Sequence, residues 1–435
     1  MSRKSGDGGP KVVVSGYYGY DNCGDEAVLL AMIICLRRVI PDIRITVLSG
    51  NPAMTRALYG VGAARRWNPF AVALRILTCG LFISGGGSLL QDVSSSRSLR
   101  YYLAVIRLAE ILGKRVMIYS QGIGPLKSEK NRARVAKAMN RCHEITVRDE
   151  RSAQLLREIG VTREVKVFCD PVMALTSSDV DGFDDDESNG DVGKSAAVAM
   201  DGAGDKSAAV AMDGAGAAKA SDDGDSDSNS NSNFDSNSNS NNDSDNGSDS
   251  NIDSARKPLL LTSIRSWNDD RHIRPVAEFL DSRIEKGWDV LLVPAHYPYD
   301  MEALRRISES MSGNPQIADK CLTAREFLDL SARADAVFSM RLHGLVFAFA
   351  AGAPMIGLSY DPKVDAFMEQ IGFEKYCLPF DGFDCAVADR MLDELLLLPP
   401  QLVRRQEEQR REMRAIAAAP AYIAAELLER KAREL

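Results

Sequence analysis

The chain of 435 residues contains no run of about eighteen apolar residues free of charge, so no helix that crosses a membrane is expected. Residues 1–11 are polar and glycine-rich, without the apolar centre of a signal peptide, which points to a cytosolic protein. No Cys-x-x-Cys pair occurs. The eight cysteines, Cys23, Cys35, Cys79, Cys142, Cys169, Cys321, Cys377 and Cys385, are scattered, which excludes a zinc knuckle or redox pair and leaves most as small buried hydrophobes. Aromatics make up only 7% of the chain, with three tryptophans and no interleaving with basic residues, so nucleic-acid binding has little support.

Charge is unevenly spread. Residues 179–253 hold nineteen acidic side chains against three lysines, a balance of −16, whereas the whole chain carries −8. The remainder therefore carries +8, which suits an anionic ligand or an anionic membrane face. The acidic stretch contains a tandem repeat, KSAAVAMDGAG at 194–204 and again at 206–216, followed by a Ser/Asn/Asp tract at 221–254. Its acidic residues are too irregular for a calcium repeat, and so little apolar area cannot offset the entropy of ordering. A disordered, solvated linker over 176–256 is expected.

On both sides of that linker, short β-branched runs alternate with amphipathic stretches of helical period. Before it stand KVVVSG, IRITVLSG, LFISGGG, RVMIYSQG, EITVRD and EVKVFCD, with helical patterns over 25–38, 96–112 and 150–159. After it stand LLLTSIR, DVLLVPA, DAVFSM and MIGLSY, with helical patterns over 273–286, 301–311, 324–333 and 364–371. The alternation predicts an α/β protein of two Rossmann-like domains with parallel sheets, residues 1–175 and 257–435. Ligands of such sheets bind beyond the carboxyl ends of the strands, and clefts between two halves are common binding sites.

The strand ends carry two kinds of residue. Glycine-rich turns follow three strands of the first half: GYYGYDNCGDEA, with Tyr18, Asn22 and Asp25; SGGGSLLQD, with Gly86 and Gly87; and SQGIGPL. Three successive glycines cost conformational entropy, so close approach of a ligand or of the other domain is the expected reason for them. Asp25 stands where a helix would begin and where its amides could face an anion. Cations follow other strands: Arg148, Arg265, Arg341 with His343 in SMRLHGL, and Lys363 in SYDPKVDAF. One arginine at a strand end is more often in a surface ion pair, but four such ends converging on one cleft suit phosphate or carboxylate. A histidine titrating near neutrality could move protons there. No metal-ligating cluster is apparent.

These motifs, SGYYGYDNCGDEAVLLA, SGGGSLLQDVSSSRSLRYYL, YSQGIGPL, ITVRDERS, SIRSWN, SMRLHGLVFA and GLSYDPKV, closely resemble the bacterial polysaccharide pyruvyl transferases, in particular the branch acting on secondary cell-wall polymer precursors. The resemblance spans nearly the whole chain outside the acidic insert, which is longer than the family's interdomain connection. His296, in VPAHYPYD, also departs from the family pattern. The resemblance implies a GT-B-like arrangement and transfer from phosphoenolpyruvate, a co-substrate, to a sugar as a 4,6-ketal. The acceptor it implies is N-acetylmannosamine of a lipid-linked saccharide. It also implies phosphoenolpyruvate binding at Arg148, His343 and Lys363, with no further cofactor. Arg341 joins that set from its position beside His343, with His343 and Arg148 as catalytic candidates, and Tyr18, Asn22, Asp25, Gly86, Gly87 and Arg265 on loops that face the acceptor or line the cleft. Protonation of the methylene carbon, attack by a hydroxyl, loss of phosphate and ring closure need a cationic cradle and a proton carrier, but no metal. A GT-B glycosyltransferase using a nucleotide sugar, or a non-catalytic glycan-binding protein, are the alternatives.

Overall fold

Strand β1 (Lys11–Ser15) reads KVVVS, and its three consecutive valines suit a strand covered on both faces. Val12 and Val14 enter one apolar core and Val13 the other. The computed structural model describes residues 8–93, 96–176 and 256–434. The linker expected over 176–256 lies, apart from its two end residues, outside the described residues.

Two parallel sheets carry the fold. The first has the order β3 (Gly62–Arg65), β2 (Arg44–Ser49), β1, β4 (Leu81–Gly85), β5 (Arg115–Gln121), β6 (Glu144–Val147) and β7 (Lys166–Val167). Its helices are α1 (Cys23–Val39), α2 (Pro52–Tyr59), α3 (Pro69–Thr78), α4 (Ser96–Ile111), α5 (Glu129–Met139) and α6 (Glu150–Glu158). In the second sheet β8 (Leu259–Ser263) lies between β9 (Asp289–Leu292) and β11 (Ala336–Ser339). Beyond β9 lies β10 (Gln316–Ile317), and beyond β11 lie β12 (Met355–Ser359) and β13 (Cys377–Pro379). The helices of this half are α7 (Ile273–Glu285), α8 (Met301–Ser310), α9 (Ala324–Arg333), α10 (Leu342–Ala351), α11 (Pro362–Gln370), α12 (Cys385–Leu396) and α13 (Pro400–Glu434).

The strand order reverses between β1 and β4 in one sheet and between β8 and β11 in the other. At such a point the connections leave to opposite sides, opening a crevice at the strands' carboxyl ends. The loops that follow β1, β4, β8 and β11 are the glycine and arginine loops singled out in the sequence.

The halves are joined by a continuous apolar core and by specific bonds. Cys23 N donates to Ala295 O at 3.0 Å. Gln370 Nε2, at the end of α11, donates to the carbonyls of Arg148 at 3.2 Å and Phe168 at 3.1 Å. Arg151 of α6 grips Glu369 through both carboxylate oxygens, at 2.9 and 2.8 Å. The last helix turns back on the first half. Ala417, Ala421 and Ala424, all buried on one face of α13, allow it to lie against α1 and the short 3-10 turn Pro171–Ala174. Cys169 Sγ donates to Met413 O at 3.3 Å and Arg115 to Leu427 O, fixing its register.

Candidate active site

Arg148 leaves the end of β6 and is only 6% exposed, a costly place for a guanidinium unless its donors are met. Nη1 donates to Asp170 Oδ2 at 3.1 Å, Nη2 to Ser88 Oγ at 3.0 Å, and Nε lies 3.5 Å from Asp149 Oδ2. Gly122 lies beside it, where a Cβ would stand 2.8 Å from Nε. Asp170 is itself buried and accepts from Val172 N at 3.1 Å, so the pair is locked at the base of the cleft.

From the opposite half, His343 sits in the first turn of α10. Its Nε2 is 3.8 Å from Asp170 Oδ2, too long for a hydrogen bond, and has no hydrogen-bond partner among the described residues. The ring lies against α1, because a Cβ on Gly24 would stand 2.0 Å from Nδ1. Lys363, in the first turn of α11, is 3.2 Å from Asp361 Oδ2. Arg148, Asp170 and Lys363 line one pocket with Leu342, Phe367 and Gln370. Asp25 belongs to the same constellation, since its carboxylate feels Arg148, Lys363 and Asp170.

Electrostatics sorts these groups. Burial, with Glu26 adjoining, lifts the Asp25 carboxyl to about 7 against the pull of Arg148 and Lys363. Burial also carries His343 down to about 4; Asp170 opposes that shift, while Arg148, Lys363 and Arg341 add to it. The expectation of a histidine titrating near neutrality is therefore corrected: the neutral-range group is Asp25, and His343 is a neutral imidazole. Burial would raise the Tyr360 phenol, yet Lys363, Arg341 and Arg265 together bring it below its ordinary value. A phenol held down by three cations marks a region of positive potential suited to an anion.

Other expected site residues have different duties. Tyr18 is 1% exposed and donates its hydroxyl to Gly85 O at 3.0 Å, so it supports the cleft floor and does not face it. Asn22 caps α1, accepting from Asp25 N at 3.4 Å, and bridges to His296 across the halves. Gly86 and Gly87 have φ of 55° and 64°, and what they approach is helix α1: a Cβ on Gly86 would meet Val28 at 1.9 Å, and one on Gly87 would meet Asp25 Oδ1 at 2.4 Å. Neither is pressed by the other half. Arg341 departs from a free phosphate ligand, for its guanidinium grips buried Asp300 through two nitrogens, with Nε at 3.0 Å. Asp300 also accepts from Ala295 N at 3.1 Å and His296 N at 2.9 Å, so Arg341 holds the loop after β9. Arg265 donates to Ser266 O at 3.2 Å and lies over the rings of Trp267 and Tyr360 at 5.3 and 5.6 Å.

Sequence reasoning missed Ser88, Asp170, Asp300 and Tyr360. Asp170 had a signal, an Asp-Pro pair just after β7 that caps a 3-10 turn. No grouping of His, Cys, Asp and Glu fit to hold a metal occurs among the described residues. Cys23, Cys35, Cys79, Cys142 and Cys169 are buried, as expected of small hydrophobes.

Two facing parallel α/β halves with a cleft between their switch points define a GT-B-like protein. Solved structures of that kind superpose on nearly the full chain: UDP-GlcNAc 2-epimerase from Neisseria meningitidis bound to UDP-GlcNAc, 11% identical, TM-score 0.55, covering 97% of this chain and 100% of that one; and a glycosyltransferase from Rickettsia africae, 11% identical, TM-score 0.53, covering 98% and 100%. The UDP-GlcNAc 2-epimerase from Methanocaldococcus jannaschii is 12% identical at TM-score 0.54, covering 89% and 92%. At such identities the likeness is one of fold. Among curated proteins there is no sequence match. The family is settled by sequence: the chain belongs to the polysaccharide pyruvyl transferases, whose family model matches residues 22–362.

Proposed function

We propose that the protein transfers the pyruvyl group of phosphoenolpyruvate to a saccharide as a cyclic ketal. The acceptor in this reading is a lipid-linked precursor of a secondary cell-wall polymer, with the ketal across O4 and O6 of N-acetylmannosamine. The reaction would take place in the cytosol at the inner membrane face. The observation that carries the reading is the meeting of Arg148 and Lys363, from both halves, on one pocket, with His343 3.8 Å from Asp170 of its lining and a carboxyl of raised pKa, Asp25, in the field of both cations.

In this reading Arg148 and Lys363 hold the phosphate and carboxylate of the donor as charge-assisted partners. Asp25, half protonated near pH 7, gives its proton to the methylene carbon, and the adjacent carbon becomes an oxocarbenium centre. One sugar hydroxyl adds to that centre and its proton passes to neutral His343. Inorganic phosphate then departs from the tetrahedral carbon, and a second hydroxyl closes the ketal as its proton passes to the departing phosphate. The divergence of the two groups, acid raised and base lowered, is the pattern of a working acid and base pair. The positive potential sensed by Tyr360 favours the leaving phosphate.

The test supplies purified protein with a lipid-linked disaccharide acceptor and either phosphoenolpyruvate or a nucleotide sugar. Mass spectrometry should find a pyruvyl ketal and equimolar free phosphate with the first donor. Consumption of the nucleotide sugar instead would replace this reading with glycosyl transfer, and no consumption of either donor would favour a glycan-binding role.

A further inference from the structure

The helix α3 presents an apolar face to solvent. Phe70, Leu74 and Leu77 recur at the i, i+4, i+7 spacing of one helical face and are 86%, 59% and 54% exposed, while Val72 and Ile76 on the opposite face are buried. Trp67, immediately before the helix, is 64% exposed. Single exposed hydrophobes need no explanation, but four of this size on ten or so residues form a patch that a lone globular surface rarely carries.

The surroundings are basic. Between Asp42 and Asp92 the chain contains five arginines and no acidic residue. Arg65 and Arg75 are exposed beside the apolar face, and Lys114 donates to Leu77 O at 2.6 Å at its far end, where Ile111 of α4 is 64% exposed. The bias extends to the whole half: the chain up to Ser178 has twenty-six basic and fourteen acidic residues, whereas from Ser254 onward the acidic ones lead by twenty-eight to twenty-four.

The patch is bonded to the loop that leads to Asp25. Arg66 donates from Nη1 to Gly16 O at 3.1 Å, and Trp67 Nε1 donates to Tyr20 OH at 3.1 Å. Both partners belong to the loop that leads from β1 into Asn22 and Asp25.

We propose that α3, with Trp67 and its flanking cations, is the seat by which this protein docks on an anionic lipid bilayer, with the mouth of the cleft at the lipid surface. An interfacial tryptophan, a short apolar helical face and basic residues at its rim are the chemistry that recognises such a surface. This deepens the reading of a lipid-linked acceptor and rests on that reading for its purpose, although the binding itself needs neither substrate.

The experiment uses the full chain and vesicles of phosphatidylglycerol and phosphatidylethanolamine without any saccharide. The protein should float with them at 50 mM salt, bind neutral phosphatidylcholine vesicles at least tenfold less, and lose about tenfold or more of its partitioning in the variant Phe70→Ser/Leu74→Ser/Leu77→Ser. That variant should keep its activity on a water-soluble short acceptor and lose it on acceptor embedded in vesicles. Equal flotation of variant and wild type, or no flotation of the wild type, would overturn the proposal. So would a fall in molecular mass of the variant without vesicles, which would make a second copy the occupant. Failure of ketal formation with the soluble acceptor would leave the flotation result intact and count against the proposed reaction alone.

Discussion

Asp25 and His343 respond to pH in opposite senses, and this can be measured without knowing the acceptor. The Asp25 carboxyl, raised from its ordinary 3.8 to about 7, binds more protons folded than unfolded between those values, so its contribution to stability falls as pH rises through that window. The His343 imidazole, lowered from 6.5 to about 4, binds fewer protons folded, so its contribution rises with pH between 4 and 6.5. The two slopes oppose each other in the wild type. Denaturant melts of Asp25→Asn should therefore show stability rising from pH 4 to 6.5, and those of His343→Gln should show it falling. The same slope in both variants would contradict the assignment. Turnover gives a second reading: if Asp25 is the acid, kcat/KM of the wild type falls as pH rises through about 7, and this limb is absent from the residual activity of Asp25→Asn. Arg148→Ala, His343→Ala and Lys363→Ala should each lower turnover at least tenfold to hundredfold with the protein still folded, since a lost charge-assisted contact is worth about 1.5–3 kcal/mol. Near-normal turnover in all three would remove the donor site from this pocket.

Elements meet where side chains are small. Helix α1 approaches α10 only because residue 24 is glycine, with the imidazole of His343 in the space a Cβ would need. Gly24→Ala should leave the fold intact, since alanine suits a helix better than glycine, but displace the ring. A shift of about 1 Å at a reacting group costs on the order of a hundredfold in rate, so turnover should collapse while thermal stability changes little. Unchanged turnover would show that the ring position is not critical. A second meeting is stitched by charge: Arg283 of α7, 1% exposed, donates to Asp393 of α12 at 2.6 Å and pairs with Asp389. Arg283→Ala takes one of two cations, Arg283 and Lys286, from both carboxylates and opens a hole in the packing, so a loss of about 2–4 kcal/mol in urea unfolding is expected.

For the whole molecule, the two sheets do not assemble through one interface alone. The acidic stretch is where the chain passes from one half to the other, but the bonds that unite them come from elsewhere: the loop after β9 on the start of α1, α11 on the end of β6, and α13 laid across the first half. Since residues 177–254 offer little apolar area, replacing them by a short flexible linker should leave soluble yield and turnover nearly unchanged. A large loss of either would reveal a role for that stretch.

The period of the hydrophobic pattern was enough to read two parallel α/β halves, because β-branched runs such as VVV in β1 and ITV in β6 are buried on both faces and depend little on what covers them. Of the edge strands, β7 was read in EVKVFCD, but β3 and β10 escaped it. GAAR in β3 has no β-branched residue and becomes a strand only because β2 offers it a free edge, and β10 beside β9 is two residues long, too short to show a period. Arg148, His343 and Lys363 were picked out by the family resemblance and by their places after strands, places that Arg341 and Arg265 share while making structural bonds. Their company was not: Asp170 and Asp300 are ordinary carboxylates in sequence, and only the packing of loops within each half sets Asp170 against Arg148 and Asp300 against Arg341. Closure of one half on the other bears on the protonation states, since Asp25 feels Lys363 and His343 feels Arg148 across it. A histidine read alone titrates near neutrality, whereas three cations and loss of water around it hold the ring neutral and leave the neutral-range titration to Asp25. Charge is a property of a residue, but its pKa is a property of its surroundings, and those exist only after the chain has folded.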